Sequence, residues 1–214
     1  MGAFMGKIFG LLLVFLVVGQ PIYSEQIKSP KVALDKLKEG NDRFMGDKLI
    51  CPDRTSDRRL SLKDMQKPFA VILGCSDSRI PPEIVFDQGL GDLFVVRVAG
   101  NVVGATEMDS VKYSVFVNGS CLVLVLGHES CGAVDAVLHH KAGSVPAVAN
   151  LIEPAIKGVN DDSVEEAVKR NVRYQVDLLK KSDAFAQLLK DGKLEIVGAY
   201  YHFHTGNVEI LDAK

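Results

Sequence analysis

Four short apolar runs are the feature that most constrains the fold of this 214-residue chain. Each run has the length of a strand, and only Arg97 and Glu195 interrupt the runs with charge. Runs with so little polar alternation are typical of strands that are buried on both faces, as in a parallel sheet. The predicted strands are Phe69–Leu73, Phe94–Val98, Cys121–Leu126 and Leu194–Tyr200.

Helical patterns lie between these runs, so strands and helices alternate along the chain. We predict helices over Thr106–Asn118, Gly132–His140 and Asp162–Leu189, the last marked by apolar residues at helical spacing. The polar segment 46–66 is predicted to be a surface connection with a short helix. The alternation indicates an α/β fold with a mostly parallel central sheet of four or five strands flanked by helices.

The two ends of this fold have their own signals. Ser29 and Pro30 are typical of the start of a helix, which predicts an N-terminal helical arm that Gly40 and Asn41 interrupt or end. At the other end, the turn residues 205–207 predict a hairpin whose second arm is Val208–Leu211.

Composition excludes several classes of protein. Hydrophobic residues make up 47% of the chain and charged residues 24%, as in ordinary globular proteins. The net charge of −2 and the lack of any long basic run give no reason to expect a nucleic-acid partner. Four cysteines are too few for a disulfide scaffold.

The N-terminus has the pattern of an export signal. Lys7 precedes the apolar run Ile8–Gly19, which is too short to span a bilayer, and Ser24 offers a small residue for cleavage. We therefore predict a cleaved signal peptide over residues 1–24, one domain over residues 25–214, and a periplasmic or secreted protein without a stable membrane span. The alternative is an uncleaved N-terminus that anchors the protein to a membrane.

Residues whose side chains can bind a metal ion follow two of the predicted strands. Cys75 comes directly after the first strand, and His128 and Cys131 follow the third. Because the carboxyl ends of parallel strands meet at one edge of a sheet, these three side chains can come together. Two thiolates and one imidazole suit Zn²⁺, and three protein ligands leave one position open, as in catalytic zinc sites.

Each of these residues also has a simpler interpretation. Cys75 and Cys131 can be small buried residues or can form a disulfide, and His128 can be a core histidine. Asp77 and Arg79 favour the functional interpretation, because neither packing nor turn chemistry requires this ion pair beside the three residues. Cys121 is predicted to be a small buried residue and Cys51 a free surface thiol.

The sequence resembles the β-class carbonic anhydrases. The resemblance rests on Cys75-Ser-Asp-Ser-Arg79 followed by Gly127-His128-x-x-Cys131-Gly132, and it extends to Gly40–Phe44, Phe94–Asn101 and the C-terminal hairpin. It covers nearly everything after about residue 28. It implies reversible hydration of CO₂ to bicarbonate and a proton by attack of zinc-bound hydroxide.

The resemblance also implies a role for each matching residue. Cys75, His128 and Cys131 would hold one Zn²⁺ per chain, Asp77 would accept a hydrogen bond from the zinc-bound hydroxide, and Arg79 would orient Asp77. In a closed form, Asp77 would itself bind the zinc. The substrate-binding residues would be Gln66, Phe94, Tyr113 and Ala99, some of them contributed across the interface of a dimer or higher oligomer.

One position separates two subgroups of the family. A bicarbonate-inhibited subgroup has tryptophan three residues before the first zinc cysteine, and this chain has Ile72 there. We therefore expect the plant-like, constitutively open subgroup, with a structural role for Arg97.

Three rival functions compete with this interpretation. A hydrolase of carbon disulfide or carbonyl sulfide would use the same zinc site, a thiol–disulfide protein would pair Cys75 with Cys131, and a non-catalytic homologue would bind zinc alone. The proton shuttle is not identified. His202 and His204 are spaced to share one face of a strand, but a solvated face of the hairpin is favoured over a shuttle role for them.

Overall fold

The computed structural model describes Gly2 and residues 26–211. The predicted signal peptide, residues 1–24, lies outside this described part apart from Gly2. Among the described residues, no helix combines the length and apolar character needed to cross a membrane. The helices are α1 (Pro30–Met45), α2 (Ser56–Ser61), α3 (Pro82–Val85), α4 (Ala105–Tyr113), α5 (Gly132–Leu138), α6 (Pro146–Ile156), α7 (Val164–Lys180) and α8 (Asp183–Lys190). The strands are β1 (Ala70–Gly74), β2 (Leu93–Arg97), β3 (Leu122–His128), β4 (Glu195–Tyr201) and β5 (Val208–Leu211).

The five strands form one sheet in the order β2-β1-β3-β4-β5. The first three pairings are parallel, and only β4 and β5 pair antiparallel, through the predicted hairpin. This confirms the predicted mostly parallel α/β fold with an N-terminal helical arm. In register, Gly74 at the end of β1 lies opposite Leu126 of β3, so the segments that follow these two strands emerge at the same edge.

Burial differs between the strands. Every residue of β1 and β3 is buried, as expected for central strands of a parallel sheet. The residues of β2 are only half-buried, and Arg97 is exposed. The prediction that all four apolar runs are buried on both faces is therefore wrong for β2, because this strand lies at an edge of the sheet and pairs with β1 alone.

The N-terminal helix does not stop where its sequence suggests. Helix α1 continues through Gly40 and Asn41 to Met45, so the predicted interruption is wrong. Both residues are buried, and a Cβ atom on Gly40 would lie 1.8 Å from the Phe86 carbonyl oxygen. The Asn41 side chain donates to the Val85 and Gly206 carbonyls and accepts from the Val208 N–H. Glycine and asparagine here serve close tertiary packing and do not act as a helix stop.

The predicted helix over Asp162–Leu189 is in fact two helices. Helix α7 ends at Lys180, Ser182 takes an extended conformation, and α8 begins at Asp183. The break turns the chain so that Phe185 is fully buried. Helix α6, which starts at Pro146, and the short helix α3 were not predicted from the sequence.

Candidate metal centre

Three side chains from two strand ends meet in a buried cluster. Cys75 follows β1, His128 is the last residue of β3, and Cys131 directly precedes α5. One ligand atom from each lies within 4.8 Å of the other two, and all three residues are buried. The pairing of β1 with β3 therefore brings together the residues that were predicted to be metal ligands.

The imidazole of His128 is oriented for ligation. Its Nδ1 lies 2.8 Å from the Glu129 carbonyl oxygen, so Nδ1 carries the proton and Nε2 keeps its lone pair. Nε2 is buried and has no hydrogen-bond partner among the described residues. A buried nitrogen without a partner is costly unless it binds a ligand, so this atom fits a metal ion.

The two thiols are also suited to a cation. A hydrogen bond from the Cys131 thiol is the main cause that lowers the pKa of Cys75 to about 4, although burial opposes the shift. The same contact and burial raise the pKa of Cys131. The Gly100 N–H donates to the Cys75 sulfur at 3.3 Å, which also favours a thiolate. Two sulfurs that share one proton beside an imidazole form a donor set typical of zinc.

The backbone of Gly100 is itself held at its carbonyl oxygen by buried amide side chains. Asn171 of α7 donates to the Gly100 carbonyl at 2.8 Å and accepts from Gln175 at 3.0 Å, and both side chains are fully buried. These two residues were not predicted from the sequence, because they lie on the buried face of a helix and have no motif of their own.

Asp77 is fixed beside the cluster by Arg79. The Arg79 Nε and Nη2 atoms donate to the two carboxylate oxygens at 2.9 and 2.8 Å, and the Arg79 backbone N–H adds a third bond at 2.9 Å. These hydrogen bonds hold the pKa of Asp77 well below its usual range. One carboxylate oxygen lies 3.9 Å from His128 Nε2, so an ionised acceptor faces the position where a metal would bind.

Arg97 and Ala99 lie beside the same loop. Arg97 donates to the carbonyl oxygens of Cys75, at 2.9 Å, and of Asp77. It therefore fixes the backbone of the loop, in agreement with the structural role expected for it. Ala99 starts a single 3₁₀ turn after β2 and is half-buried, next to the glycine that contacts Cys75.

The other three predicted substrate residues lie elsewhere in the chain. Gln66 is exposed and precedes the amino end of β1, whereas Cys75 follows its carboxyl end. Phe94, near the start of β2, packs on Tyr113 with ring centroids 6.2 Å apart. Gln66 and Tyr113 line a surface cleft of about 680 Å³ together with Phe116 and Val117. Within one chain, the structure does not bring these residues to the cluster of Cys75, His128 and Cys131.

Two residues beside the cluster were not predicted to act there. The Phe203 ring lies 4.2 Å from the Arg79 guanidinium carbon, and the Glu129 carboxylate accepts the Phe203 N–H at 2.8 Å. The sheet topology was the available signal, because the segment after β4 must emerge at the same edge as the segments after β1 and β3. His202 points elsewhere, with its Nε2 3.1 Å from a Glu209 carboxylate oxygen.

The remaining cysteines match their predicted environments. Cys121 is buried and lies within hydrogen-bond distance of the Ile27 and Phe69 carbonyl oxygens, and Cys51 is exposed. All four cysteines are free thiols, so Cys75 and Cys131 do not form a disulfide.

The fold and the site together define an α/β protein with a candidate Cys-His-Cys metal centre at the carboxyl edge of its sheet, facing an Asp–Arg pair. Comparison with known proteins agrees with this class. A sequence model described as carbonic anhydrase matches residues 70–208. Carbonic anhydrase 2 of Mycobacterium tuberculosis is 40% identical over 194 residues, which cover 86% of this chain and 94% of the relative.

Solved structures give the same answer. The β-carbonic anhydrase CcaA is 26% identical, with a TM-score of 0.65 and coverage of 84% of this chain and 95% of that chain. One of two tetrameric β-carbonic anhydrases from Sordaria macrospora shares the fold at 20% identity, with a TM-score of 0.65 and coverage of 85% of this chain and 95% of that chain. The chain belongs to the β-carbonic anhydrase family, a family of zinc-dependent enzymes.

Proposed function

We propose that this protein catalyses the reversible hydration of CO₂ to bicarbonate and a proton, with Zn²⁺ held by Cys75, His128 and Cys131. The observation that carries the proposal is the ionised Asp77 carboxylate, which is fixed by Arg79 and faces the buried, unpartnered Nε2 of His128. When bound, zinc supplies Lewis acidity, which makes a water nucleophilic at neutral pH.

The protein's own residues would orient that water. Asp77 carries no proton at neutral pH and can only accept hydrogen bonds, so it would hold the water with a lone pair directed at CO₂. Arg79 occupies both carboxylate oxygens and limits their rotation. The arrangement would hold the attacking water in position before the reaction begins. Such positioning of a nucleophile is a large source of rate enhancement in enzymes.

The activity is tested by stopped-flow CO₂ hydration with the chain from Glu25 onward. We expect fast hydration at mildly alkaline pH, loss of activity when zinc is removed by a chelator, and recovery when zinc is returned. Activity at background with one zinc per chain would contradict the proposal. The relatives named above are carbonic anhydrases and give no support to the carbon disulfide or carbonyl sulfide alternative.

We also propose that the working unit is a dimer or a larger oligomer in which Gln66, Phe94 and Tyr113 complete the site of a neighbouring copy. These residues do not reach the metal cluster of their own chain, and they lie where large apolar side chains are exposed. Phe116 is 52% exposed and Val117 is 65% exposed. Such a patch is typical of a protein–protein interface.

The open subgroup is a further part of the proposal. Ile72 is fully buried in β1, and Asp77 is paired with Arg79, as an open site requires. We expect bicarbonate to inhibit the enzyme only weakly and without cooperativity, measured as initial CO₂ hydration rate against added bicarbonate. A sigmoidal loss of activity would contradict this assignment.

Export is proposed from the sequence alone. The pattern of Lys7, the apolar run Ile8–Gly19 and Ser24 supports a cleaved signal peptide and a periplasmic or secreted enzyme. N-terminal sequencing of the protein from a periplasmic fraction should find a chain that starts at or near Glu25. An intact N-terminus in the membrane fraction would instead support the anchored alternative.

A further inference from the structure

The turn between β4 and β5 places an aromatic ring on the Asp77–Arg79 pair. The face of Phe203 covers the Arg79 guanidinium, whose central carbon lies 4.2 Å from the ring centroid. The His128 ring packs against Phe203 edge to face, with centroids 5.7 Å apart. One side chain of the hairpin thus contacts both the residue that orients Asp77 and a residue of the metal cluster.

Glu129 fixes the position of this ring. Its carboxylate accepts the Phe203 N–H at 2.8 Å, and its own N–H donates to the Tyr201 carbonyl at 2.9 Å. Its carbonyl oxygen is the acceptor for His128 Nδ1. The hairpin and the His128 imidazole therefore both form hydrogen bonds with Glu129, which couples their positions.

The ring matters because the Arg79 side chain is half-exposed, and its hydrogen-bond partners among the described residues are Asp77 and, at 3.5 Å, the Ser130 carbonyl oxygen. The side chain of Arg79 is 52% exposed, and an exposed ion pair alone holds a long side chain only weakly. A guanidinium that stacks on an aromatic face loses rotational freedom and gains a cation–π attraction. The stack therefore restricts the plane of the guanidinium and, through two hydrogen bonds, the plane of the Asp77 carboxylate.

We propose that Phe203 is a positioning residue for the hydration reaction, supported by Glu129, and that it acts through Arg79 on Asp77. The inference rests on the proposed function, since it assumes that the orientation of Asp77 limits the rate. The C-terminal hairpin would then contribute to the reaction indirectly. Among the described residues, no residue of its turn forms a hydrogen bond or ion pair with Asp77.

The test compares aromatic and aliphatic replacements at this position. Phe203→Leu and Phe203→Met remove the ring face, with methionine keeping most of the volume, while Phe203→Tyr keeps the ring. Phe44→Leu is the matched control, because Phe44 packs on the neighbouring Tyr201 and is half-buried. No ring or cation contact joins Phe44 to Arg79 or His128 among the described residues.

We expect kcat/KM for CO₂ hydration to fall about tenfold in Phe203→Leu and Phe203→Met at unchanged zinc content. Phe203→Tyr and Phe44→Leu should stay within about twofold of the parent enzyme. Equal activity in Phe203→Met and the parent, or an equal loss in Phe203→Tyr and Phe203→Met, would overturn the proposal. Failure of Phe203→Leu to fold would leave the methionine and tyrosine variants to decide.

A spectroscopic measurement separates this inference from the proposed function. The Arg79 Nε–H signal, assigned by its loss in Arg79→Lys, should carry a ring-current shift in ¹⁵N-edited NMR spectra. The shift should persist in Phe203→Tyr and Phe44→Leu and disappear in Phe203→Met. A persistent shift in Phe203→Met would refute the stack, whereas a parent enzyme without hydration activity would refute the proposed function and leave the stack itself measurable.

Discussion

Asp77 has one residue as its main partner, since Arg79 supplies three hydrogen bonds from its side chain and backbone. A carboxylate held in this way accepts hydrogen bonds and donates none. Asp77 would therefore contribute to the site through its negative charge and its fixed orientation. A substitution that keeps the shape of its side chain should separate this contribution from metal binding.

We expect Asp77→Asn to keep one zinc per chain and to lose kcat/KM by about a hundredfold. The amide is isosteric, but it presents a donor where the water needs an acceptor. Stopped-flow hydration together with metal analysis measures both effects. Asp161→Asn, in the exposed connection before α7, is the control for loss of one negative charge. Unchanged activity in Asp77→Asn would rule out the role given to this carboxylate.

A second carboxylate, Asp87, matters for stability and lies away from the site. It is fully buried and accepts from Arg43 at 2.7 Å and from the backbone N–H groups of Ile50 and Cys51 at 3.0 Å. Burial alone would raise the pKa of Asp87, but these hydrogen bonds outweigh it and hold the pKa below its ordinary value.

Because the pKa of Asp87 is lowered by folding, its contribution to stability is present above the unfolded-state value of about 4. It is lost as the pH falls through the folded-state value. We expect Asp87→Asn to lower the free energy of unfolding by about 2 kcal/mol at pH 7 and by less at pH 3, below the unfolded-state value. Urea unfolding of both proteins at the two pH values measures this, and an equal difference at both would contradict it.

Helix α1 shows how tertiary contact overrides local preference. Alanine normally stabilises a helix relative to glycine by about 1 kcal/mol. At Gly40, however, an added Cβ would meet the Phe86 carbonyl oxygen at 1.8 Å, which neither backbone can relieve without moving α1 away from the segment after α3.

We therefore expect Gly40→Ala to destabilise the protein by about 2–3 kcal/mol, opposite in sign to its helix preference. Gly143→Ala is the control, since a Cβ there meets nothing within 4 Å and the backbone φ is not left-handed. Thermal unfolding of both variants decides the matter, and a neutral Gly40→Ala would show that α1 moves freely on the sheet.

Elements that depend on local sequence pattern could be predicted, whereas those that depend on distant contacts, such as that of Gly40 with Phe86, could not. Strand β1, and strand β3 up to its last residue His128, are apolar because both faces of each strand are covered. The sequence therefore predicts both strands and the sheet edge at which Cys75 and His128 lie. The continuation of α1 through Gly40 depends on Phe86, which is distant in sequence. The break at Ser182 likewise depends on the position in the core at which Phe185 is buried. Local sequence patterns do not contain this information about contacts between distant residues.

At the scale of the whole molecule, the candidate metal cluster lies at the carboxyl ends of the parallel strands, whereas Gln66 lies at the amino end of β1. Gln66 lies before β1 and Cys75 after it, and β2 leaves its side chains half-exposed at the sheet edge. A symmetric dimer can bring the amino end of one sheet toward the carboxyl end of the other. The proposed site is then shared between two copies.

A mixing experiment tests this arrangement. Asp77→Asn and Gln66→Ala should each have low activity alone, because each variant has a defect in both sites of its own dimer. After the two are unfolded, mixed in equal amounts and refolded, about a quarter of the sites should be intact, since half of the dimers are mixed and each has one complete site. Separate refolding is the control. Activity equal to the average of the two variants would mean that each chain builds its site alone.

The pairing of β1 with β3 also has a consequence for the order of assembly. Cys75 and His128 are 53 positions apart in the sequence. They approach each other only when β1, which precedes Cys75, has paired in register with β3, which ends at His128. The extended polypeptide therefore has no preformed place for the proposed metal, and metal binding would be coupled to folding of the central sheet. If the chain crosses a membrane before it folds, the enzyme depends on the zinc supply of the compartment that receives it, whatever the zinc content of the compartment where it is synthesised.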